Sequence, residues 1–211
     1  MDYSTSRDVG AFHLAWSLRV DDRTPRDDAP SIVLAYEVHA DEELYVSDRL
    51  WDFNRERRRV ADPFGVYRFV DNGVLRLVFL QAPSPPNLML RNHYTPLFSR
   101  VRPGEPRRGE VRIELPVQEY SALARDVGSP TVVETVSRVA LVMGYELRSA
   151  LDDDPTPPTF EAEAAGFVVY DPSVVISYLD VAPLPVRRRT GYIARYALPG
   201  EPGPGPAPYP A

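Results

Sequence analysis

The chain contains no cysteine among its 211 residues, which excludes a disulfide framework, thiol catalysis and a zinc site built on thiolates. It contains no lysine either: all 24 basic side chains are arginine, so Schiff-base chemistry lacks its amine. Histidine is limited to His13, His39 and His93. No HxH or HExxH spacing accompanies them, and they read as solvated histidines with no metal site and no cofactor implied. No apolar run approaches the roughly 18 residues that cross a bilayer. The opening Met-Asp-Tyr-Ser-Thr-Ser-Arg-Asp has neither the basic nor the apolar region of a secretory signal, so a cytoplasmic protein with no membrane partner is expected. Thirty acidic against 24 basic side chains leave a net charge of −6, which opposes nucleic-acid binding because that needs a basic footprint.

What is present is β pattern. Residues 66–79 hold two runs of β-branched and aromatic residues around Asn72-Gly73, a hairpin signature. A two-residue loop would pair Phe69 with Arg76 and mix charge with apolar groups on both faces. A three-residue Asp71-Asn72-Gly73 loop pairs Phe69 with Leu75 and Tyr67 with Leu77, and collects Arg68 and Arg76 on a solvent face. The segregated arrangement is predicted, because a one-residue slip reverses every side chain. Residues 11–20 alternate Phe12, Leu14, Trp16, Leu18 and Val20 against His13, Ala15, Ser17 and Arg19, and residues 32–40 repeat the pattern. His13 and His39 thus lie on the polar faces of neighbouring strands. Further strands are expected at 44–53, 96–101, 109–115, 131–151 (with a bend at Gly144), 166–170, 174–181 and 192–198. One short helix is expected near 118–126, where Tyr120, Leu123 and Ala124 share a face. Residues 1–10 read as a flexible N-terminus and 199–211 as a disordered Pro/Gly-rich tail. The fold predicted is all-β: one antiparallel two-sheet sandwich over 11–198, elaborated after 116 and carrying long proline-rich loops.

Catalytic signatures are missing: no GxSxG, SxxK, P-loop or GxGxxG. Asp48, Asp52, Glu119 and Asp126 could be drawn into a glycosidase-type pair, yet with so many acids no pair is singled out. A carbohydrate-binding face would need aligned aromatics, and Trp16 shares the apolar side of its strand. The best interaction candidate is the proline-limited loop 81–94, where Leu88, Met89, Leu90, Arg91, His93 and Tyr94 would present an adaptable apolar tip to another protein. Arg57-Arg58-Arg59, Arg107-Arg108 and Arg187-Arg188-Arg189 are expected in loops, the last set as an anion-binding candidate. A non-enzymatic protein-binding or structural module is therefore expected. A hydrolytic or carbohydrate-active enzyme and a carbohydrate-binding module are the alternatives.

Within residues 31–115, an Ile-Val-Leu-Ala-Tyr-Glu-Val strand, a polar turn, Leu-Trp-Asp-Phe, Val-Tyr-Arg-Phe, Leu97-Phe98 and Arg-Pro-Gly-Glu follow in order. This layout resembles the BsuPI-type intracellular proteinase inhibitors, with residues 82–96 as an insertion relative to them. The resemblance implies an immunoglobulin-like sandwich that binds proteins through its end loops.

Overall fold

The computed structural model describes residues 1–21, 30–53, 59–61, 65–80, 96–120, 131–151, 159–161, 166–168 and 172–189. In chain order these form β1 (Asp2–Val9), β2 (Phe12–Asp21), β3 (Ser31–Ala40), β4 (Leu44–Arg49), β5 (Trp51–Phe53), β6 (Arg59–Ala61), β7 (Tyr67–Asp71) and β8 (Val74–Val78). They continue with β9 (Leu97–Val101), β10 (Arg107–Glu114), β11 (Val117–Gln118), β12 (Thr131–Leu147), α1 (Arg148–Leu151), β13 (Thr159–Glu161), β14 (Gly166–Val168) and β15 (Ser173–Arg189). One sheet has the order β1-β2-β3-β10 and is antiparallel throughout. The larger sheet has the path β11-β15-β12-β4-β9-β14-β13, with β8 and β7 attached through β12. It is mixed, because β12 runs parallel to β8 and β11 runs parallel to β15. β5 and β6 form a separate two-stranded ribbon.

The alternation read in β2 and β3 becomes the sandwich interior. Phe12, Leu14, Trp16 and Leu18 of β2 join Ile32, Leu34, Tyr36 and Val38 of β3 in one buried cluster with Leu75, Leu77, Val139 and Leu141 of the larger sheet. Trp16 is shut inside, its indole Nε1 donating to Ser177 Oγ across the sheets at 2.9 Å. The N-terminus departs from expectation. Asp2–Val9 is an edge strand rather than a flexible arm, joined to β2 through Gly10 at φ 59 and packing Tyr3 and Val9 on the core. The near absence of aliphatic residues before Val9 concealed that strand.

The central hairpin takes the two-residue register. Tyr67 pairs with Val78, Phe69 with Arg76 and Val70 with Leu75, and Asn72 and Gly73 both have positive φ (50 and 76), as a type I′ turn requires. Charge segregation did not decide the outcome because neither face meets water. Arg68 and Arg76 are only 6 % and 5 % exposed, and a second cluster containing Tyr67, Phe69, Val78 and Val142 covers the face away from the main core. Arg76 Nη2 reaches Asp71 Oδ2 at 3.1 Å, and the Arg68 guanidinium lies 5.6 Å from the Tyr120 ring centre. A Cβ added at Gly73 meets nothing within 4 Å, so the loss on substitution is conformational. Gly73→Val is expected to destabilise by roughly 2 kcal/mol, checked by thermal unfolding beside a milder Gly73→Ala.

β12 and β15 form the backbone of the larger sheet. Their ladder runs from Thr131↔Arg189 to Tyr145↔Ser173, with an irregularity between Val136 and Arg138. There the inward set changes phase, from Val139, Leu141 and Met143 to Val136, and from Leu179 and Val181 to Leu184 and Val186. The break therefore falls at Ser137, not at the expected Gly144. Gly144 instead permits a close approach, since a Cβ there would stand 2.6 Å from Leu80 Cδ2. β15 runs well past residue 181, and Pro183 sits in the bulge opposite Ser137, where a missing N–H is tolerated. Gln118 belongs to β11 and Tyr120 bridges Arg68, so the start of the expected 118–126 segment is extended. Residues 121–126, 192–198 and 199–211 lie outside the described residues.

Candidate functional site

Cross-strand register builds one polar face. Opposed residues share a side of a sheet, so Ser4, Ser17, Ala35 and Glu110 form one row across β1-β2-β3-β10, and Ser6, Ala15, Glu37 and Arg108 the next. The short side chains make a floor and the charged ones a rim, leaving a cleft of about 930 Å³ on the outside of the four-stranded sheet. A third row follows: Asp8 opposes His13, and His13 opposes His39. His13 Nδ1 lies 2.6 Å from Asp8 Oδ1 and His39 Nε2 lies 2.8 Å from Glu37 Oε1. The same Glu37 oxygen accepts from Arg108 Nη2 at 2.8 Å.

This geometry fixes the charge of Glu37. The hydrogen bond from Arg108 holds its carboxyl below the usual range. A general acid needs the opposite shift, so this carboxylate is not set up to donate a proton. A depressed carboxyl contributes stability above its unfolded pKa and loses it as pH falls through the folded value. Arg108→Ala is expected to raise the Glu37 titration midpoint towards that of an ordinary glutamate and to remove that pH-dependent contribution, as followed by carboxyl NMR.

The other carboxylates singled out in the sequence divide. Asp48 is buried between the sheets, its Oδ2 accepting from Arg107 Nε at 2.5 Å and its Oδ1 from Ser99 Oγ at 2.8 Å. Tyr36 OH donates to the Asp48 carbonyl at 3.2 Å, and burial, with Asp48 adding to it, pushes that phenol above its usual range. Glu119 Oε1 accepts from the Val70 amide at 2.9 Å. Both acids hold the fold together. Arg107 and Arg108 begin β10 instead of lying in a loop. The side chains of Asp52 and Asp126, and the whole of Leu88, Met89, Leu90, Arg91, His93 and Tyr94, lie outside the described residues.

Arg187-Arg188-Arg189 also proves to be strand, the end of β15, where alternation divides the set. Arg187 is exposed opposite Val133, whereas Arg188 is opposite Val132 with its Nη1 3.6 Å from Glu134 Oε2. These two arginines therefore serve opposite faces of the sheet. They flank a feature the sequence reading missed. β8 joins β12 only from Arg138 and β4 only from Tyr145. Among the described residues, no strand pairs with that edge of residues 131–137. Val132 and Val133 there are 49 % and 58 % exposed. The signal was the run Thr-Val-Val-Glu-Thr-Val-Ser, rich in strand-formers yet alternating poorly in polarity. Among the described residues, no helix is long and apolar enough to cross a membrane. No family model, curated protein or solved structure matches the chain.

Proposed function

We propose that this is a cytoplasmic, non-enzymatic protein-binding module that takes up an extended acidic segment of another protein by strand addition along residues 131–137 of β12. The observation that carries this reading is the edge itself. A strand with no described neighbour on one side presents main-chain donors and acceptors to a partner, and the exposed Val132 and Val133 supply apolar contact on both faces. Charge selects the partner: Arg187 lies beside Val133 on β15, and although two strand spacings, roughly 9.6 Å, separate β15 from an added strand, an extended arginine side chain leaning across Val133 can meet a carboxylate reaching back from that strand. The likeness of residues 31–115 to BsuPI-type inhibitors supports the same class of activity and an immunoglobulin-like description of the sandwich, although by another surface.

The test uses two capped peptides, alternating valine with aspartate or valine with lysine. The acidic peptide is expected to bind and to slow amide exchange within residues 131–137, and the basic one to bind at least about tenfold more weakly. Equal affinities, or protection elsewhere, would overturn the proposal.

A further inference from the structure

We propose that His13 and His39 form a two-imidazole site for a first-row divalent transition metal, with Zn²⁺ as the reference ion. The register places them directly opposite each other on β2 and β3, on the outer face of the four-stranded sheet. Directly opposed residues have Cβ atoms roughly 4.5–5.5 Å apart, which allows two imidazoles to converge on one ion. Their side chains are 43 % and 54 % exposed, open to an ion arriving from solvent.

The carboxylates define which nitrogens remain. Asp8 Oδ1 accepts from His13 Nδ1–H and Glu37 Oε1 from His39 Nε2–H, so in the neutral rings His13 Nε2 and His39 Nδ1 carry the lone pairs. An acceptor behind each ring is the outer-shell arrangement that orients a ligating histidine. Arg108 in turn anchors the Glu37 carboxylate. Asp8 and Glu37 against Arg108 leave one negative charge in the immediate surroundings, which favours a cation. Among the described residues, no three His, Asp or Glu side chains are grouped to hold a metal, so water or a side chain of a bound protein would complete the coordination. Imidazole suits Zn²⁺, Ni²⁺ and Cu²⁺, and does not suit Mg²⁺ or Ca²⁺. This inference concerns a different sheet from the β12 edge and stands independently of it.

Calorimetric titration of the full chain with ZnCl₂ tests it. The expected result is one saturable site, also taken by Ni²⁺ but not by Mg²⁺, with a metal-dependent rise in Tm. His13→Asn and His39→Asn should each weaken binding at least about tenfold, and Asp8→Asn roughly tenfold through the outer shell. Each variant's Tm without metal checks that the fold is intact. Absence of binding by the wild type, or binding that survives the double His13→Asn/His39→Asn variant, would overturn the proposal.

Discussion

Gly109→Ala is expected to destabilise the protein by roughly 3 kcal/mol, at the upper end of what overpacking usually costs. Gly109 opposes Tyr36 in the β10–β3 ladder, and the phenol lies over it. A Cβ built there would stand 2.0 Å from the Tyr36 oxygen and 2.1 Å from Cζ. The ring cannot swing aside without loss. It is 5 % exposed, meets Phe79 edge-on at 5.5 Å, and donates its hydroxyl to the Asp48 carbonyl. Urea unfolding of Gly109→Ala, Tyr36→Ala and the double variant separates the causes. If shape conflict is the reason, the double variant is no less stable than Tyr36→Ala alone. A single-variant loss under about 1 kcal/mol would show that the ring relocates freely.

Asp48→Ala is expected to cost a similar amount, about 3 kcal/mol. The Asp48 side chain is fully buried, and Arg107 from the opposite sheet and Arg49 from its own strand approach it at 2.5 and 3.4 Å. Losing one partner of a buried pair commonly costs about 3–5 kcal/mol because the other charge is stranded. Here both arginines are about one-third exposed and water can recover part of that loss, which places the expectation at the low end. Arg107→Ala should cost less than Asp48→Ala, since Ser99 and Arg49 still surround the carboxylate. Salt should barely change either result, because the carboxylate is shielded from the ionic atmosphere. Equal, salt-sensitive losses in denaturant unfolding would contradict this assignment.

The residues that could be read locally were those whose neighbours lie on the same strand. Phe12 to Leu18 and Ile32 to Val38 announce their inner faces by period two alone, and the sandwich follows from them. Pairing was less legible, because it depends on what covers a strand. Arg68 and Arg76 suggested a wet face, yet tertiary packing closed both sides of the hairpin. The strand expected at 174–181 continues to Arg189, because a bulge absorbs Pro183. The Asp48 cluster draws on residues 36, 48, 49, 99 and 107, and no local pattern connects those positions. The histidines were recognised as strand neighbours. Their direct opposition, and the carboxylate behind each ring, needed the register itself.

β12 also sets a timetable for folding. It lies beside β4 and β8, which precede it by many residues, and along its other margin beside β15, which follows it. During synthesis the first sheet can assemble once β10 has emerged, whereas β12 lacks its longest neighbour until the ribosome has passed residue 189. Such distant pairings carry a large loop-closure penalty and fold slowly. Until β15 (Ser173–Arg189) is made, the valine-rich β12 has no partner along that margin, so slower synthesis of those residues is expected to lower the yield of folded protein.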